Sequence, residues 1–167
     1  MNILIPRIVK NWSMAPNIKY TKNFVTNSVS PGRRFAKQNS HPYLWAKSFA
    51  CFGLYPKEKE PVLGDLLMNH FQDNACTHLH KDSAPENFVH VRANVMLKKP
   101  KKGGNIIVDN KIFEVEKNDL WLILASLENH GSTPIEDGER IIYSFGALIE
   151  KNNIKKILED KNYENFT

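Results

Sequence analysis

The stretch THLHKD, residues 77–82, sets His78, His80 and Asp82 at every second position. Read as a strand, it sends all three side chains to one face, because strand side chains alternate. Two imidazoles and a carboxylate on the inner face of a sheet are costly to bury unless something lies between them. A metal ion would satisfy all three, which raises the question of a third protein ligand and of the fold that holds it.

The downstream half carries the fold signal. FVHVRANVML, residues 88–97, alternates, with Val89, Val91, Ala93 and Val95 on one face and His90, Arg92, Asn94 and Met96 on the other. Residues 105–108 and 111–115 read as a hairpin closed by Asp109-Asn110. LWLILASL, residues 120–127, is apolar enough for a strand buried on both sides, and RIIYSFGALI, residues 140–149, closes the set. Upstream, residues 65–71 form a further strand, and YLWAKSFACFGLY, residues 43–55, reads as a buried strand or short helix. Residues 1–42, rich in Asn, Ser, Pro and Lys, read as short elements and loops. At the other end, Ile154, Ile157 and Leu158 are spaced for one face of a short helix. Many short strands with tight turns predict a sandwich or barrel with the last helix packed outside.

With 167 residues, 41% of them apolar, the chain is sized for one domain with one core. Within that single domain, residues 1–63 are expected to form a substrate or support region, 64–150 the β core and 151–167 a terminal helix. No run of about eighteen apolar residues occurs, so no membrane span is expected. The N-terminus lacks the order of a secretory signal, and Cys51 and Cys76 form no C-x-x-C pair. A reduced, cytoplasmic setting follows as the expectation. Charge is unevenly placed, because nine Lys or Arg precede the first acidic residue, Glu58. Such a segment is either a solvated surface or a phosphate-binding one, with Arg33, Arg34, Lys37 and Lys47 as its contacts. The turn KKPKKGG, residues 98–104, reads as solvent-facing.

A third ligand is offered by His130, in the ENHG that follows the buried strand. Two histidines and one carboxylate form the facial triad of non-haem iron(II), whereas zinc more often takes three histidines or thiolates. Ten residues on, Arg140 opens the final strand, and a guanidinium there can grip the far end of a dicarboxylate.

The order His80-x-Asp82, His130, Arg140 resembles the iron(II)- and 2-oxoglutarate-dependent dioxygenases over residues 66–149. Arg92-x-Asn94 followed by Pro100 looks like the R-x-H strand of the aspartyl/asparaginyl β-hydroxylase branch, which includes small proline hydroxylases; here Asn94 replaces the histidine. The resemblance implies a mainly β, double-stranded β-helix (jelly-roll, cupin-like) with a few flanking helices. It implies iron(II) on His80, Asp82 and His130, with 2-oxoglutarate and dioxygen as cosubstrates. Asn94 would help hold the 1-carboxylate of 2-oxoglutarate, and Arg140, assisted by Ser144, the 5-carboxylate. Arg92 would face the cosubstrate or a substrate carboxylate, and His78 would line the pocket. Because Asp82 keeps its carboxylate, hydroxylation with release of succinate and CO2 is implied, not halogenation. The expected substrate is a small molecule or peptide, an amino-acid or peptidyl side chain of Pro or Asp/Asn type. Two alternatives stay open, namely the same chemistry on nucleic acid and a non-catalytic cupin-type metal-binding module.

Overall fold

The computed structural model describes residues 7–16, 25–26, 31–38, 41–60 and 64–154. The strands are β1 (Arg7–Val9), β2 (Val25–Thr26), β3 (Arg33–Lys37), β4 (Glu58–Lys59), β5 (Leu66–Phe71), β6 (Phe88–Lys98), β7 (Lys102–Gly103), β8 (Ile106–Val108), β9 (Lys111–Phe113), β10 (Leu120–Ile123), β11 (His130–Ser132), β12 (Ile135–Asp137) and β13 (Arg140–Glu150). One helix, α1 (Pro42–Ala50), interrupts them, and it settles residues 43–55 as helical in their first part. His41 caps it, accepting from Leu44 N, and Pro42 opens it, where a missing N–H costs nothing. Residues 151–154 begin a helical turn, while Ile157 and Leu158 lie outside the described residues.

The large sheet runs β1-β10-β6-β13-β5-β3-β2, with β4 on β13, and every pairing is antiparallel. The smaller ladders are β11-β8-β9 and β12-β7. The alternation in β6 decides the layering. Val89, Val91, Ala93 and Val95 pack outward with Trp45, Phe49, Phe52 and Trp12 in one apolar cluster. Met96 faces the other way, into a second cluster that joins Phe71, Trp121 and Ile142 of the large sheet to Ile106, Val108 and Ile135 of the smaller ladders. The large sheet is thus buried on both faces, and its inner face closes against the smaller ladders. The architecture is a double-stranded β-helix of jelly-roll, cupin-like type with few helices.

Two local features shape its mouth. Asp109 and Asn110 adopt φ of 45° and 66°, the paired left-handed conformation of a type I′ turn, and so close the β8–β9 hairpin. The strand expected over 120–127 stops at Ile123. The Glu128 carboxylate accepts Leu124 N at 2.8 Å, and Leu127 N and Glu128 N both donate to Leu124 O, so the chain turns there. That turn returns the backbone to the open end of the sandwich at His130. Among the described residues no helix is long and apolar enough to cross a membrane.

Candidate metal centre

THLHKD is not a regular strand. Its hydrogen bonds go to three separate places: Thr77 N to Ser132 Oγ (2.9 Å), His80 N to His130 O (3.1 Å) and Asp82 N to Ala125 O (2.8 Å). His80 and His130 form a single antiparallel bridge. The chain therefore winds between its anchors, and strict alternation is lost. His80 and Asp82 converge, whereas His78 is exposed, with its ring 4.0 Å from Cys76 Sγ.

One nitrogen each from His80 and His130 and one carboxylate oxygen of Asp82 lie within 4.8 Å of one another. The imidazole rings are 4.4 Å apart. Each histidine gives its Nδ1–H to a main-chain carbonyl, His80 to His78 O (2.8 Å) and His130 to Glu128 O (3.0 Å). That fixes the tautomer in which Nε2 carries the lone pair, the outer arrangement metal-binding histidines use. Asp82 is held from behind. Its Oδ2 meets His90 Nδ1 at 3.1 Å and Arg92 Nε at 3.2 Å, while Oδ1 faces His80 Nε2 at 3.2 Å. His130 is buried and the His80 side chain is 45% exposed, so the group opens to one side.

The electrostatics suit a cation. Burial alone would raise the Asp82 carboxyl, but hydrogen bonds from His80 and His90 and the Arg92 charge outweigh it and hold the group well below the usual carboxylate range. Its hydrogen bond to Asp82 lifts the His80 imidazole, whereas burial lowers that of His130. With a metal in place of the proton that His80 shares with Asp82, the set offers two imidazole nitrogens and one firmly ionised oxygen. It fits a divalent first-row metal with open positions better than a closed structural zinc.

Behind the triad lies the inner face of the large sheet. Asn94 is buried there, opposite Trp121 on β10 and Ser144 on β13. Ser144 accepts from Arg92 Nη1 (3.0 Å), so it belongs to the Arg92 group and not to Arg140. Arg92 also approaches Glu60 Oε2 at 3.8 Å. Arg140 is 2% exposed; it donates to Gly104 O (2.7 Å) and Ser132 Oγ (3.3 Å), and its guanidinium lies 4.1 Å from the Phe71 ring centre. Its Nε has no partner, and no carboxylate pairs with it among the described residues. Burial, with Arg33 nearby, pulls its pKa down to about 9. A buried, uncompensated guanidinium is a site built for an anion.

Sequence reasoning set four of these contacts aside or passed them over. His90, noted only for sharing a face with Arg92, clamps Asp82. Ser132 accepts from both Thr77 N and Arg140 Nη2, joining the metal segment to the deep guanidinium. Asn69 accepts from Arg33 Nη2 (3.1 Å), and Arg33 turns inward while Arg34, Lys37 and Lys47 are exposed. An Asn and a Phe at alternate positions in LLMNHF were the only available hint of a polar inner face on β5. The lysines of residues 98–102 are all neutralised, Lys98 by Glu139, Lys99 by Glu116 (2.5 Å), Lys101 by Asp137 (3.8 Å) and Lys102 by Glu136.

No protein-family model and no curated relative matches the sequence. Solved structures do match in shape. HygX from Streptomyces hygroscopicus, with nickel and 2-oxoglutarate bound, aligns at TM-score 0.51 and 12% identity over 74% of this chain and 72% of its own. An RmlC-like cupin from Shewanella frigidimarina aligns at 0.47 and 11% identity over 83% and 96%. A viral collagen prolyl hydroxylase from Paramecium bursaria Chlorella virus-1, as its 2-oxoglutarate complex, aligns at 0.43 and 17% identity over 50% of this chain, which spans 57% of that protein. Of these, the HygX alignment alone reaches a TM-score of 0.5, and at 12% identity it shows a likeness of fold only.

Proposed function

We propose that the chain is an iron(II)- and 2-oxoglutarate-dependent dioxygenase that hydroxylates an amino-acid or peptidyl side chain. The observation that carries the reading is the presence of two features together, one on the smaller ladder and its neighbouring segment and one on the large sheet. The open His80–Asp82–His130 triad is backed by Arg140, a buried guanidinium with no carboxylate of its own. A metal-binding module without turnover has no use for the second feature. HygX, of the same fold, holds nickel and 2-oxoglutarate.

His80, Asp82 and His130 would hold the metal. Bound there, iron(II) with 2-oxoglutarate supplies dioxygen activation, decarboxylation to succinate and CO2, and transfer of one oxygen atom to a substrate C–H bond. The protein's part is positioning. The carbonyls of His78 and Glu128 take both Nδ1–H groups and so direct the Nε2 atoms to the metal, which would replace the proton between His80 and Asp82 Oδ1, while His90 with Arg92 takes Asp82 Oδ2. Triad and divalent metal together carry one net positive charge, which favours a dianionic cosubstrate. Arg140 would grip its far carboxylate, with Ser132 fixing the guanidinium and Phe71 shielding it from water. Asn94 would serve the carboxylate next to the metal as an amide donor. A nucleic-acid substrate fits less well at Arg33, which is turned inward, although Arg34, Lys37 and Lys47 are exposed.

Succinate release tests the reading. With iron(II), 2-oxoglutarate and a panel of amino acids and peptides, wild-type protein should release succinate, and His130→Ala should release none. Arg140→Gln should raise the KM for 2-oxoglutarate at least about tenfold, as for a lost charge-assisted pair. Metal binding without succinate in any condition would leave the cupin-type module as the function.

A further inference from the structure

Three guanidiniums reach the inner face, and they are not equivalent. Arg92 is committed, to Asp82 at 3.2 Å, Ser144 at 3.0 Å and Glu60 at 3.8 Å. Arg140 is sealed at the bottom. Arg33 is neither. It is half-buried, its Nε is shielded from solvent and has no partner, and among the described residues Asn69 is its one side-chain acceptor and no carboxylate pairs with it.

The sheet explains how it comes to be there. Arg33, Phe71 and Arg140 lie directly opposite one another on β3, β5 and β13, so the three form one cross-strand row. The Phe71 ring sits between the two guanidiniums, 5.1 Å from Arg33 Cζ and 4.1 Å from Arg140 Cζ. Arg33 feels the charges of Arg92 and Asp82, and Arg140 feels that of Arg33. Burial opposes the charge, so an arginine kept in this position is one that meets an anion when the site is filled.

We infer that Arg33 is the specificity-determining residue for the primary substrate, whose free carboxylate pairs with its guanidinium. The assignment rests on the oxygenase reading above and narrows it to small carboxylic acids, such as free amino acids. It also moves the role expected of Arg92 to another residue. Arg92 has its anion already in Asp82, and a second one would have to displace a metal ligand. A carboxylate fits the geometry because a guanidinium presents two parallel donors to two oxygens.

The test uses the full chain loaded with nickel(II), which binds without turnover, and saturated with 2-oxoglutarate. Calorimetric titration then compares free L-amino acids with their primary amides, a capped peptide and single-stranded DNA. The expected result is binding of at least one free acid, with its amide roughly tenfold or more weaker. Arg33→Gln should weaken the acid by a similar factor, leave the amide unchanged and leave 2-oxoglutarate within about twofold, while Arg33→Lys recovers part of the loss. The inference is overturned if no free acid binds, if only capped peptide or DNA binds, or if Arg33→Gln leaves the acid unaffected. An equal loss of 2-oxoglutarate would assign Arg33 to the cosubstrate instead. Should wild-type protein bind an acid through Arg33 but not 2-oxoglutarate, the subsite stands and the oxygenase reading falls. Thermal melts of both variants separate loss of the carboxylate contact from loss of the fold.

Discussion

His80 and His130 exchange both of their main-chain hydrogen bonds, His80 N to His130 O at 3.1 Å and His130 N to His80 O at 2.9 Å. Two candidate ligands fifty residues apart are thereby fixed directly to each other, and their rings lie side by side, 4.4 Å apart. Replacing either imidazole, or the Asp82 carboxylate, should remove a ligand without undoing the bridge. His130→Ala and Asp82→Ala are expected to lose more than about 100-fold in metal affinity, beyond the usual effect of losing an outer partner. Calorimetric titration with iron(II) under anaerobic conditions checks this, and an intact melting transition should accompany it.

The close approach that permits the bridge depends on Gly131. A Cβ there would stand 2.6 Å from Thr77 O and 3.2 Å from the His78 carbonyl carbon. Both contacts are backbone, so the metal segment would have to move. Gly131→Ala should destabilise the fold by about 1–3 kcal/mol, the cost of overpacking. It should also weaken metal binding, although no ligand is altered. Thermal melts and metal titration on the same sample test the pair of effects, and a variant that melts lower while binding metal normally would break the link.

His90 is buried and holds Asp82 Oδ2 at 3.1 Å. Without it, Arg92 alone fixes that oxygen, and the carboxylate can rotate away from His80. His90→Ala should cost about 10- to 100-fold in metal affinity. Cobalt(II) absorption gives a second readout, since a loosened carboxylate should broaden and shift the visible bands of the wild-type complex. Identical spectra would assign His90 to packing only.

Away from the site, Asp119 controls stability in acid. It is buried, and it accepts from Lys10 Nζ (2.7 Å), Asn11 N (3.0 Å) and Glu116 N (2.8 Å), tying the N-terminal strand to the turn before β10. Burial pushes its carboxyl up, but these three donors outweigh it and hold the pKa below the usual 3.8. A depressed folded-state pKa gives stability that is full above the unfolded value and is lost as pH falls through the folded one. Asp119→Asn should therefore cost about 1.5–3 kcal/mol at pH 7. The gap between variant and wild type should shrink as pH drops below about 4. Urea unfolding at pH 7 and pH 3 measures both values.

The convergence of His80, Asp82 and His130 and the inward Arg140 were legible because each sits beside a strong local signal. His130 follows an apolar run, Arg140 opens another, and the H-x-D pair is short enough to act as a unit. The β core was legible for a similar reason, since periodicity in residues 88–97 and 140–149 comes from faces that are both buried. The path between anchors was not. Alternation placed His78 with His80 and Asp82, but three long-range hydrogen bonds bend the segment, and no local pattern encodes partners 43 to 55 residues away. The strand at 120–127 was overextended because Leu124 and Ala125 are as apolar as the strand, and only the Glu128 carboxylate marks its end. Arg33 was read as surface charge because β3 is short and its inward face appears only once β5 lies beside it.

The central claim is that His80, Asp82 and His130 bind iron(II) so as to leave room for 2-oxoglutarate to chelate. Anaerobic titration of the apoprotein with iron(II) and then 2-oxoglutarate measures this most directly, through the weak visible charge-transfer band that bidentate chelation produces. The account predicts the band in wild-type protein, its absence in His130→Ala, and a higher 2-oxoglutarate requirement in Arg140→Gln. Iron binding with no band at any 2-oxoglutarate concentration would contradict it.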